Sequence, residues 1–109
     1  LVREWRVLSP RCVLTANMDR FHHAPYGLAG GGEANRGRLL LIRDGQTRPI
    51  PPKTDGMVLR RGDVVRLETS GGGGFGDPAA REPAALARDV ALGYVSAAAA
   101  RTAYGAAPG

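Results

Sequence analysis

Gly71-Gly72-Gly73-Gly74-Phe75-Gly76-Asp77-Pro78 follows directly on a strand-like stretch, Asp63 to Thr69, and is the part of this chain best suited to chemistry through its backbone. Glycine loses more backbone freedom on folding than any other residue, so such a run is favoured only where positive φ or close backbone approach is needed. Two uses fit. The N–H groups of Gly72, Gly73, Gly74 and Gly76, with Asp77 beside them, can form a nest that accepts a substrate carboxylate or a phosphate. Alternatively, the bare backbone lets another segment cross where Cβ atoms would clash. Gly71, Gly73 and Gly76 formally satisfy G-x-G-x-x-G, but Asp77-Pro78 intervenes before any helix and no βαβ unit follows. A Gly-Lys-Ser/Thr ending of the P-loop kind is missing too.

Gly30-Gly31-Gly32 forms a second cluster, with Asp19-Arg20 at its entrance. If the two glycine runs converge, Arg20 is placed to pair with a carboxylate while Asp19 orients it; an ordinary salt bridge at a strand end is the competing reading. Asp19, Arg20, Gly30, Gly31, Gly72, Gly73, Gly74, Gly76 and Asp77 are therefore the candidates for substrate binding or an interface. His22 and His23 are adjacent, which in extended chain points them to opposite faces, and no third ligand stands at a recognisable spacing, so no metal site is assigned. Cys12 sits inside an apolar alternation and is expected to be buried and inert. The acidic pairs Glu68 with Asp77 and Asp55 with Asp63 show no sign of mutual placement, and no catalytic residue is assigned.

Arg60-Arg61-Gly62-Asp63-Val64-Val65-Arg66-Leu67-Glu68-Thr69-Ser70, with residues 71–78 after it, resembles the C-terminal segment of the hydantoinase B/5-oxoprolinase family, to which the large subunit of acetone carboxylase is also similar. Three further stretches agree in order: Asp19-Arg20-Phe21 into Pro25-Tyr26-Gly27-Leu28-Ala29-Gly30-Gly31; Pro52-Lys53-Thr54; and Ala87-Arg88-Asp89-Val90 through Gly93-Tyr94-Val95-Ser96 to Ala99-Ala100-Arg101 and Tyr104-Gly105. Phe75 stands where a tyrosine is common, and His22-His23-Ala24 replaces a more proline-rich approach to Pro25. The resemblance implies a fragment of a much longer subunit that opens a hydantoin or 5-oxoproline ring at the expense of ATP. It implies an A-type partner subunit or domain that binds the ATP, contacts with the rest of its own subunit, and a metal, if one is used, held by the N-terminal part. ATP-dependent carboxylation of a ketone and a purely assembly-forming role are the alternatives.

Composition narrows the partners. The net charge is +5, but Lys53 is the only lysine and the arginines are scattered, with only Arg60-Arg61 adjacent. A nucleic-acid surface clusters basic residues with aromatics between them, so no nucleic-acid partner is expected. No apolar run approaches the roughly 20 residues of a membrane span. A single cysteine precludes an internal disulfide and fits a reducing, cytoplasmic setting. The absence of an initiator Met reads as a fragment.

The elements that must position these residues read as α+β: a β-rich barrel- or sandwich-like part over 1–78 with glycine-rich loops, then a helical hairpin over 79–109. Period-two alternation puts Trp5 and Val7 on one face and sets Cys12, Leu14, Ala16 and Met18 against Val13, Thr15 and Asn17, which predicts a hairpin whose core Trp5 seeds. Residues 21–37 are glycine-rich and aperiodic, hence a long loop. Leu39-Leu40-Leu41-Ile42 predicts a strand buried on both faces; Asp44-Gly45 supplies a two-residue turn, and Pro49, Pro51 and Pro52 keep the return strand short or at an edge. Met57-Val58-Leu59, a turn at 60–63, and residues 64–69 complete the β part. Glu82-Pro83 starts a first helix that Gly93 ends; Ser96 caps a second that Gly105 ends, with Val95, Ala100 and Tyr104 docked and Ala98, Arg101 and Thr102 facing solvent.

Overall fold

The computed structural model describes residues 1–106. The element order is β1 (Val2–Arg6), β2 (Arg11–Asn17), β3 (Arg38–Arg43), β4 (Gln46–Pro49), β5 (Lys53–Arg60), β6 (Val64–Glu68), a single 3-10 turn (Pro78–Ala80), α1 (Pro83–Ala91) and α2 (Ala97–Thr102). The chain divides into two compact units: unit 1 is Leu1–Tyr26 with Glu33–Gly72, and unit 2 is Gly27–Gly32 with the chain from Gly73 onward.

Unit 1 is an open, sandwich-like pair of antiparallel sheets, not a closed barrel. One sheet runs β1-β6-β3-β4 and the other is the pair β2-β5. Leu39 and Leu41 of β3, Val65 of β6, Ala16 of β2, Leu59 of β5 and Ile50 form one buried cluster, so the core lies where the two sheets meet. Burying each of these larger aliphatic side chains is worth about 1.5–3 kcal/mol. The alternation is visible in β3, where Leu39 and Leu41 are buried while Leu40 and Ile42 remain half-buried on the other face. The expected burial on both faces is thus only partial.

Local chemistry explains the turns. Asp44 and Gly45 both adopt positive φ, 52° and 75°, the left-handed pair that a tight hairpin between β3 and β4 requires. β4 is short and at the sheet edge, and its last residue is Pro49. Between β2 and β5 the register steps from Leu14↔Met57 to Ala16↔Thr54, which leaves an extra residue on β5. Gly56 absorbs that bulge at φ 71°, and Thr15 Oγ1 donates to Asp55 Oδ1 across it at 3.1 Å.

The predicted β1–β2 hairpin does not form. β1 pairs with β6, with Trp5 opposite Val65, and β2 pairs with β5, with Cys12 opposite Leu59, so consecutive strands enter different sheets. Alternation identifies a strand and its faces but not its partner. Trp5 does not seed the core: it is 44% exposed, with the Arg3 guanidinium 5.3 Å from its ring centroid. Cys12 is exposed as well, against the expectation of burial: its face of β2 lines an open groove together with Trp5 and Leu14.

In unit 2, Glu82 accepts from the N–H groups of Ala84 and Ala85 at the start of α1, and Pro83 occupies a first-turn position where no amide donor is missed. Gly93 follows at φ 81°. Ser96 Oγ accepts from Ala99 N at 3.1 Å to begin α2, and Gly105 has φ 69°. Ala100 is buried and Val95 and Tyr104 are half-buried, while Ala98, Arg101 and Thr102 are exposed. α1 and α2 pack on each other, and residues 107–109 of the expected 79–109 segment lie outside the described residues. The long loop is present as expected, without regular structure apart from a single bridge residue, Leu28.

Candidate functional site

Residues 27–32 and 73–76, parts of the two glycine runs, converge within unit 2. Leu28 forms an isolated parallel bridge with Phe75. Leu28 N donates to the Gly74 carbonyl and Gly76 N to the Leu28 carbonyl, each at 2.9 Å, and Gly74 N donates to the Gly32 carbonyl at 2.9 Å. Gly31 N also donates to Leu28 O, so that one carbonyl accepts twice. Backbone holds backbone here, with no side chain between.

That closeness is why the sequence needs glycine at particular places. A Cβ on Gly31 would overlap the carbonyl group of Gly74, and one on Gly27 would overlap that of Gly31. At Gly74 a Cβ would lie 3.2 Å from the Gly32 nitrogen. Gly30 and Gly76 are at φ 91° and 83°, a region that costs any side-chain-bearing residue. Gly32 meets nothing within 4 Å in the same test.

The amides of Gly74 and Gly76 are therefore committed to carbonyl partners, and the run does not present the continuous anion nest that its composition suggests. Gly72 and Gly73 are exposed. Asp77 turns its carboxylate inward on the chain, where Oδ1 accepts from Ala79 N at 2.9 Å and caps the 3-10 turn.

Asp19 and Arg20 lie in unit 1, at the end of β2. Asp19 does not orient Arg20: its Oδ1 takes Lys53 Nζ at 3.0 Å, and the same ammonium reaches Asn17 Oδ1 at 2.6 Å. Arg20 adopts φ 64°, and its carbonyl accepts from Gly37 N at 3.0 Å. Ala34 N donates to Pro25 O at 3.0 Å, so the base of the long loop is zipped before and after the excursion at 27–32. Among the described residues, no three His, Cys, Asp or Glu side chains gather to hold a metal ion.

The hydantoinase B/oxoprolinase family profile matches residues 1–78 of the chain. The chain belongs to the hydantoinase B/oxoprolinase family. It is also 35% identical over 88 residues to an uncharacterised protein of Methanocaldococcus jannaschii, covering 81% of this chain and 15% of that relative's length. The chain thus spans well under a fifth of that curated relative. No solved structure matches it.

In this hydantoinase B/oxoprolinase member, the buried charged group among the described residues is Asp63, which the sequence marks as the junction of a turn and a strand. Asp63 is 2% exposed. Its carboxylate accepts from Arg43 Nε at 2.9 Å, Arg43 Nη2 at 2.6 Å and Arg60 N at 2.9 Å. The hydrogen bonds from Arg43 are the main cause that holds its pKa down at about 2, against the opposing effect of burial. Glu68 is also held below the usual carboxylate range, first by Arg66 and then by Arg38. Arg66 reaches Glu4 as well, tying β1 to β6 across the open face of the sheet. These pairs fasten the scaffold; they sit on strands and a turn rather than in a cleft. A signal for Asp63 was available, since an aspartate two residues after Arg61 and directly before an apolar strand is placed to cap the turn that precedes it. Its second partner, Arg43, was not legible, because twenty residues separate the two.

No helix among the described residues is long and apolar enough to cross a membrane.

Proposed function

We propose that this chain is the C-terminal part of an ATP-dependent cyclic-amide hydrolase of the hydantoinase/5-oxoprolinase type. The observation that carries the reading is the family match over residues 1–78, which takes in both glycine runs that meet in the Leu28–Phe75 bridge. An A-type partner subunit or domain binds the ATP, and its γ-phosphoryl group goes to the oxygen of the ring carbonyl. Resonance protects a ring amide from water, and phosphorylation removes that protection. Water adds to the activated carbon, the C–N bond breaks to give a ring-opened acyl phosphate and a free nitrogen group, and hydrolysis of the acyl phosphate leaves a carboxylate and phosphate. The bridged glycine segments serve as a stiff wall of the site or of a subunit contact, and the reacting groups come from the rest of the subunit.

The test is phosphate release from ATP by the full-length parent subunit, with and without its A-type partner, offered hydantoin, 5-oxoproline, or acetone plus bicarbonate. Release stimulated by a cyclic amide, with ring-opened product in equal amount, is expected. Stimulation by the ketone alone, or by none of the three, overturns the reading.

A second reading, assembly without a part in turnover, is favoured by one observation: α1 and α2 leave between them a groove of about 540 Å³ lined by Leu86, Val90, Ala100 and Tyr104. Alanine at Leu86, Val90 or Tyr104 separates the two readings. Loss of association with turnover per assembled complex unchanged supports assembly; Gly73→Val abolishing turnover with association intact supports the wall.

A further inference from the structure

Unit 1 carries a second groove, of about 470 Å³, whose lining includes Trp5, Leu8, Leu14, Met18, Leu59 and Val65. Trp5 is 44% and Leu8 76% exposed, so a large apolar surface stands open beside the core. The charged side chain in its lining is basic, and Glu4, also on β1, is paired with Arg66 at 2.9 Å. Arg6 lines it, Arg3 stacks at 5.3 Å on Trp5, and Arg61 Nε donates to the Leu8 carbonyl at 2.9 Å, while no acidic residue is among its lining. Along one side runs β1, an edge strand with all five residues exposed, whose outer backbone groups have no strand partner in the sheet.

We propose that this groove seats a segment from the remainder of the polypeptide in a subunit of full family length: an extended, apolar stretch flanked by Asp or Glu, lying along β1. Three observations select that occupant. The chain accounts for 15% of the length of its relative, so most of a subunit of that size lies outside these residues. An apolar floor with Arg3, Arg6 and Arg61 at its edge is complementary to acid-flanked apolar chain. An edge strand offers the backbone hydrogen bonds that an extended segment takes up. A second copy of this surface fits badly, because a two-fold contact would set the same arginines against one another. The proposal rests on the family membership and not on the ring-opening reaction.

The test uses the full-length parent subunit with a photo-crosslinking amino acid in place of Leu8, an exposed position that tolerates replacement, and maps the crosslinked peptides by mass spectrometry. Alkylation of Cys12 by N-ethylmaleimide, followed at its own peptide, reports whether the groove is covered. Expected are crosslinks within the same polypeptide, outside residues 1–109, to an apolar stretch bordered by Asp or Glu, and alkylation of Cys12 about tenfold or more slower in the native subunit than in urea. Crosslinks to a second copy or to the A-type partner, the lack of any such intrachain crosslink, or alkylation of Cys12 at its unfolded rate overturns the proposal. Turnover is not read, so the outcome is independent of whether cyclic amides are substrates.

Discussion

Arg43 and Asp63 meet in a two-pronged ion pair, Nε to Oδ1 at 2.9 Å and Nη2 to Oδ2 at 2.6 Å, at the turn where the chain passes from one sheet to the other. Arg43 also donates to the Val58 carbonyl of β5 at 3.3 Å, so a single guanidinium ties β3, β5 and the turn together. Asp63→Asn keeps the volume and removes the charge. It is expected to destabilise unit 1 by about 2–3 kcal/mol, seen as a lower urea midpoint with an unchanged m-value. Arg43 is partly solvated, with 21% of its side chain exposed, which keeps the loss at the low end for a buried pair.

The same carboxylate sets a pH window. Its pKa falls from an ordinary 3.8 to about 2 in the folded chain. A depressed carboxylate contributes stability that is fully present above its unfolded pKa and is lost as pH falls through the folded one. The contribution of this one carboxylate to unit 1 is therefore expected to stay constant from pH 7 to about 5 and to fall by about 2 kcal/mol between pH 4 and 2. Comparison with Asp63→Asn isolates the contribution: the gap between the two urea midpoints narrows as pH falls through that range. A gap that stays constant down to pH 2 contradicts the assignment.

Gly31 and Gly32 are neighbours with opposite tolerance. A methyl group on Gly31 meets the Gly74 carbonyl, whereas one on Gly32 meets open space at an ordinary φ. Gly31→Ala is expected to cost unit 2 about 2–4 kcal/mol. Gly32→Ala is expected to be neutral or stabilising by up to about 1 kcal/mol, through the unfolded state. Amide exchange at Leu28, Gly74 and Gly76, whose N–H groups make the bridge, reports the difference directly.

Among the described residues, Ser96 is the only side chain that satisfies an amide in the first turn of α2. The helix has six residues, too few to persist on propensity. Ser96→Ala is expected to cost about 1 kcal/mol and to speed exchange at Ala99 and Ala100, leaving α1 as it was.

What was legible in the sequence was mostly local. Glu82-Pro83, Gly93, Ser96 and Gly105 carry the helix ends in their own chemistry, and Asp44-Gly45 carries its turn, so each could be read without knowing the neighbours. Strand partners are different: the pattern at Trp5 and Cys12 described a face correctly but could not say that β6 and β5 would lie opposite, because pairing is decided by residues some fifty positions away. Both glycine runs stood out as needing a reason. Which glycines are irreplaceable, Gly27 and Gly31 above all, depends on atoms brought from residues 31 and 74, which composition does not locate. Asp19 adjoins Arg20 in sequence, yet the charge that holds it comes from Lys53 of β5.

Because Gly27–Gly32 and Gly74 belong to one unit while residues 33–72 belong to the other, the order of synthesis matters. A chain emerging from the ribosome delivers Leu28 long before Phe75 exists, and the intervening β-structure must be made, and its ends drawn together, before the bridge can close. Translation that stalls anywhere in that interval leaves the first glycine segment bare, a ready target for nascent-chain proteolysis.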